Sequence, residues 1–338
     1  MGVTSGVRTA LVRWVVYPSW VLVGLTAAVF AALAVVPTAR AVVASSTPRP
    51  PAWQYVPLVA SVLLFGLPHG AVDHLTLPRA AGRPVTRRSL AGVGLLYLVL
   101  GSAFFAAWFL APAAAFLLFL ALTWFHWGQG DRWLLFALAS DAADAAPPTR
   151  LRSALTVVVR GGLPMVVPLV AFPDAYRRVA ALVVGRFESG VVARLDPLFL
   201  PEVRAALGGG LAVVALASLA LGLRADDATW RYDAVETPLL AVYFAVVPPV
   251  LAVGVYFALW HSVRHVVRLV ALDSVGRAAL DANRVAPAVA GFARDAAPLT
   301  LGALALLAGA AAVVPASPGG VAEFAGVYLA LLAALTLP

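Results

Sequence analysis

Apolar residues in this chain come in runs too long and too uniform for the half-polar helices of a water-soluble bundle. The first runs from about Val12 to Val36, which matches the ~17 to 25 residues a helix needs to cross a bilayer. Others lie near Tyr55 to Leu77, Leu90 to Leu110, Ala113 to Leu138, Ala154 to Phe172, Val203 to Leu223, Pro298 to Val314 and Val321 to Leu337. The run Pro238 to Leu272 is too long for one straight crossing; Pro248-Pro249 predicts a bend, with the span proper starting near Pro249. The pattern predicts an all-α polytopic membrane protein of eight or nine transmembrane helices, one integral membrane domain over residues 1–338.

The connections add detail. The first run is too long for a signal peptide and is read as a retained helix. Arg79, Arg83, Arg87 and Arg88 follow the second span, Ala111-Pro112 allows only a tight turn, and Asp141 to Arg152 is polar. The mixed stretch Phe172 to Glu202 has room for an interfacial helix, Asp226, Asp227, Asp233 and Glu236 read as an acidic loop, and Asp273 to Asp295 reads as an amphipathic connection. Pro68 and Gly70 predict a kink in the second span, and Gly161-Gly162 with Pro164 an interruption of the fifth. The last run is only just long enough to span and stops at Leu335-Thr336-Leu337-Pro338, so a C-terminal continuation is expected.

Composition agrees with the pattern. The 338 residues are 62% hydrophobic and 12% charged, with a mean hydropathy of +0.93, more apolar surface than one soluble core hides. The net charge of +8 would suggest nucleic acid in a soluble domain. Here the arginines sit mostly between apolar runs, as anchors at lipid headgroups do, so nucleic acid is not expected. The absence of cysteine excludes disulfides, thiolate metal sites and cysteine nucleophiles. A metal would need nitrogen or oxygen ligands.

The chain has only five histidines, all within or beside apolar runs. His69 and His74 lie in Gly66-Leu67-Pro68-His69-Gly70-Ala71-Val72-Asp73-His74, His126 in Thr123-Trp124-Phe125-His126-Trp127-Gly128-Gln129-Gly130-Asp131, and His261 and His265 in Trp260-His261-Ser262-Val263-Arg264-His265. Ionisable groups are costly in lipid and usually functional there. Imidazole is the commonest protein metal ligand, so three such segments predict one buried metal site. His261 and His265 are four apart, on one helical face. Asp73 and Asp131 read as acceptors for the second ring N–H of a ligating histidine, against the plainer reading of charges at helix ends. Aromatic residues crowd the same windows, and a few of them would line an apolar tunnel for a lipid-soluble substrate.

The segments Pro68-His69-Gly70-Ala71-Val72-Asp73-His74, Phe125-His126-Trp127-Gly128 and His261-Ser262-Val263-Arg264-His265 resemble, in this order, the bacteriorhodopsin-related Brp/Blh family of membrane β-carotene dioxygenases. The resemblance covers most of the chain from the second span onward. It implies cleavage of β-carotene at its central double bond with O2 to give two retinal molecules, by non-haem Fe(II) held by histidines. By position the implied ligands are His69, His126, His261 and His265, with His74 in the first motif but outside those four. It also implies a cell-membrane location, hand-over of retinal to a rhodopsin-type protein, and a further histidine directly after Pro338, completing a Pro-His. Two other classes fit less well: a haem-binding electron carrier and a proton-coupled transporter. Neither has an obvious need for His261 and His265 on one face.

Overall fold

The computed structural model describes residues 3–36, 50–139, 148–225, 227 and 229–336. Among these the chain is almost wholly helical, with no strand. The helices are α1 (Ser5–Val35), α2 (Ala52–Thr76), α3 (Arg87–Leu110), α4 (Pro112–Ala139), α5 (Arg150–Ala171), α6 (Pro173–Val184), α7 (Pro201–Ala225), α8 (Trp230–Val246), α9 (Pro249–Leu272), α10 (Ser274–Asp281), α11 (Val285–Val313) and α12 (Val321–Thr336). Seven of them, α1, α2, α3, α5, α7, α9 and α11, are long and apolar enough to cross a bilayer. The helix α4 has the length, at 28 residues, but His126, Gln129, Asp131 and Arg132 dilute its apolar character. The chain is thus a polytopic helical membrane protein.

Burial divides the spans into two classes. In α1, α3, α7 and α11 only 17 to 22% of the most apolar window is buried, against 56 to 78% in α2, α5 and α9. The first group faces lipid, where apolar side chains need no protein partner. The second forms the interior, where polar chemistry can be sheltered.

Several sequence expectations are corrected. The second span does not kink at Pro68: it breaks at the turn Val62 to Phe65, where a new helical segment, Gly66–Ala71, starts just before the proline, and again at Val72, two residues after Gly70. Pro68 therefore sits in a first turn, where its missing N–H has no intrahelical partner to lose. Gly66 is needed at that restart, since a Cβ there would lie 2.5 Å from the Tyr328 hydroxyl and 2.6 Å from the Ser61 carbonyl oxygen. Nor do Gly161-Gly162 and Pro164 interrupt the fifth span. The helix α5 is continuous from its cap, where the Thr149 hydroxyl accepts a bond from the Arg152 N–H at 3.1 Å. A Cβ at Gly161 would overlap the Trp124 carbonyl, and one at Gly128 the Val157 carbonyl. These glycines let α4 and α5 pack backbone to backbone.

The bend at Pro248-Pro249 is present, with extended Val247 and Pro248 separating α8 from α9. The expected acidic loop is different. Asp233 and Glu236 lie inside α8, both buried, and Asp227 is buried beside them, while Asp226 is outside the described residues. The connection Asp273 to Asp295 contains α10 and the first turns of α11, which begins at Val285 rather than near Pro298. The stretch Phe172 to Glu202 does hold an amphipathic helix, α6, which packs against α12. Leu337 and Pro338 lie outside the described residues.

Candidate metal centre

Three interior helices each bring histidine to one point. His69 comes from the short segment Gly66–Ala71 of α2, His126 from the middle of α4, and His261 and His265 from α9. Ring centroids are 5.5 Å apart for His69 and His261, 5.0 Å for His126 and His261, and 6.2 Å for His69 and His126. One nitrogen from each of these three lies within 4.8 Å of the others. His265 lies beside these three, 5.1 Å from His69 and 5.8 Å from His126, centroid to centroid.

Local backbone form positions these rings. Residues Tyr256–His261 form a π-helical turn inside α9, a feature common at functional sites because the extra residue rotates the side chains downstream of it. His69 donates from Nδ1 to the Phe65 carbonyl at 2.9 Å, which fixes its tautomer and leaves Nε2 with a free lone pair. The Nε2 of His261 is buried with no hydrogen-bond partner. Leaving such a group unpaired costs about 1 to 3 kcal/mol, and a cation at the meeting point of the rings would satisfy it. The donor set, neutral nitrogen ligands in an apolar interior, suits a first-row transition metal.

His265 points its Nε2 at Asp73 Oδ1, 3.4 Å away. Asp73 thus stands where an acceptor for a ring N–H was expected. Asp131 does not contact an imidazole. Its carboxylate accepts from Trp260 Nε1 at 3.2 Å and from Arg264 at 3.3 Å, with Arg160 at 3.7 Å. His74 bonds locally, from Nδ1 to the Ala71 carbonyl at 3.0 Å.

Beneath the histidines lies a cluster the sequence did not reveal. Arg152, Arg160 and Arg264 are buried with Asp131, Asp227, Asp233 and Glu236. Arg264 is bonded to both oxygens of Glu236, at 2.7 and 3.1 Å, and Arg160 bridges Glu236 at 3.0 Å and Asp233 at 2.9 Å. Arg152 reaches Asp233 at 2.6 Å. These arginines are not headgroup anchors; buried carboxylates neutralise them inside the bundle. Arg160, within the apolar run of α5, was the signal available.

On the other side of His69 and His126 opens a cavity of about 1180 Å³, including the part continuous with the outside. Phe116, Phe119, Leu120 and Trp127 of α4, Phe257 of α9 and Leu329 and Leu332 of α12 give it an apolar wall, and Tyr176 and Val179 of α6 contribute a further side. Trp127 and Phe257 line it beside the histidines, whereas Phe125 is 58% exposed on the outer face of α4.

Residues 60–338 match the family model for β-carotene 15,15'-dioxygenase. A probable β-carotene 15,15'-dioxygenase, Blh, of Halobacterium salinarum is 46% identical over 99% of this chain and 92% of its own length. A second Halobacterium salinarum protein, the probable β-carotene 15,15'-dioxygenase Brp, is 34% identical over 73% of this chain and 68% of its own. A β-carotene 15,15'-dioxygenase from an uncultured marine bacterium is 38% identical over 22% of this chain and 26% of its own. No solved structure matches. With three histidine-bearing helices meeting beside an apolar cavity, and a relative aligned along nearly its whole length, the chain belongs to the β-carotene 15,15'-dioxygenase family.

Proposed function

We propose that this protein cleaves β-carotene at its central double bond with O2, giving two molecules of retinal, in the cell membrane. The observation that carries this reading is the wall formed by His69 and His126, where the candidate metal centre borders an apolar cavity. Family membership removes the ground for the haem-carrier and proton-transporter alternatives. The reaction balances without an external reductant, since each oxygen atom of O2 ends in one aldehyde.

Fe(II) held by His69, His126 and His261, with His265 beside them, would supply the activation of O2 that the cleavage requires. The chain's own part is binding and orientation. Apolar side chains of α4, α6 and α12 take a hydrophobic polyene from the bilayer and exclude water. Trp127 and Phe257, stacked at 6.1 Å between centroids beside the histidines, confine the polyene so that one double bond faces the centre. Burial pushes the Tyr176 phenol above its usual value, so this cavity hydroxyl stays protonated. Asp73 holds the His265 N–H and offsets positive charge near the centre. Retinal leaves into lipid, where a rhodopsin-type protein would receive it.

The test is co-expression in a host that makes β-carotene. Loss of the carotenoid with retinal as the major product is expected. Longer apocarotenals in quantity would refute central cleavage, and unchanged β-carotene would refute the activity.

A further inference from the structure

We propose that Asp131, Arg264 and Glu236 form a positioning clamp that sets the rotation of α9 against α4 and thereby brings His261 to His126; this rests on the reading that the histidines hold a metal. Trp260 and Arg264 alternate along α9 with His261 and His265, and successive helical residues point ~100° apart. One face of α9 therefore serves the metal centre and the neighbouring face is held by the clamp. The hold is specific. Trp260 Nε1 lies 3.2 Å from both Asp131 oxygens, and the Arg264 guanidinium stacks on the Trp260 ring, 3.7 Å from its centroid. Arg264 then bonds Glu236 with both terminal nitrogens, and Glu236 also accepts from Trp20 Nε1 at 2.7 Å.

On the α4 side, Asp131 follows Gly130, and a Cβ at Gly130 would lie 3.3 Å from His261 Cε1. The same two residues of α4 thus touch the imidazole and grip its neighbours. Stability alone does not call for this arrangement, because a buried ion cluster is often no more stable than packed apolar side chains. Removing Asp131, Arg264 and Glu236 together would leave Arg152 and Arg160 against Asp227 and Asp233, a balanced set. A variant that neutralises all three strands no charge, so it separates positioning from folding.

The experiment compares purified wild type with Asp131→Asn/Glu236→Gln/Arg264→Met and with Trp260→Phe, measuring thermal unfolding and titrating the metal-free proteins with Co(II), whose visible spectrum reports its ligands. The triple variant is expected to unfold near the wild-type temperature yet bind Co(II) ~10 to 100-fold more weakly, the range for groups that orient ligands, with an altered spectrum. Trp260→Phe should fold and show a smaller weakening in the same direction. Wild-type affinity and spectrum in the triple variant would overturn the clamp and leave the cluster a structural one. If the triple variant does not fold, Trp260→Phe decides, and unchanged Co(II) binding there overturns the proposal. Failure of the wild-type protein to bind Co(II) overturns the metal site itself, and the clamp with it.

Discussion

Asp73 Oδ1 lies 3.4 Å from Nε2 of His265, joining the last turn of α2 to the last histidine of α9. The pair fits Asp73 as an orienting group that holds one imidazole by its N–H. Asp73→Asn keeps the shape and one acceptor oxygen but removes the charge. Iron should stay bound while turnover falls ~10 to 100-fold. Iron content and retinal formation measured on one preparation decide this, and loss of iron as complete as in His69→Ala would make Asp73 a direct ligand.

The histidines should divide by position. Each variant in which His69, His126, His261 or His265 is singly replaced by Ala should fold and lose most of its iron and activity. His74→Ala should retain both, because His74 bonds its own helix at Ala71. Metal analysis of the five variants checks the set, and full iron in any of the first four would remove that residue from the centre.

Filling the cavity should uncouple substrate from metal. Leu329 of α12 lines the wall, and Leu329→Trp puts a rigid ring where the polyene would lie. Retinal formation should drop at least ~10-fold, since a misplacement of about 1 Å can cost 100-fold, with iron content unchanged. Val213→Trp, on the lipid face of α7 at 66% exposure, should leave retinal formation at the wild-type rate. Equal activity in the two variants would remove Leu329 from the substrate path.

Glycine packing between α4 and α5 gives a stability test. Gly161→Ala drives a methyl group into the Trp124 carbonyl, and overpacking of this kind costs about 1 to 3 kcal/mol. Gly309→Ala in α11 meets nothing within 4 Å and should be neutral or slightly stabilising. Thermal unfolding in detergent should separate the two; indistinguishable midpoints would contradict the close approach of α4 and α5.

The sequence by itself determined the class of the fold and where its histidines would fall. Apolar runs of bilayer length have one stable solution in lipid when they carry no strand pattern, a helix that satisfies its own backbone, and five histidines confined to three such runs had few other uses. Periodicity and hydropathy are local properties, so they could place α9 at Pro249 and the bend before it. They could not say which carboxylate faces which base. Asp233 and Glu236 looked like a loop because four acids close together are normally solvated, and Arg160 was a single charge in an apolar run. Only the packing of α5, α8 and α9 placed these opposite charges within 3.0 Å, where each offsets part of the cost of burying the other. The same holds for Asp131. Five residues after His126 it read as a histidine partner, but α9 presents Trp260 and Arg264 to it instead. Pro68 was likewise a helix breaker by composition and a harmless first-turn residue once the chain had broken at Val62 to Phe65, because the effect of a proline depends on whether its N–H was needed.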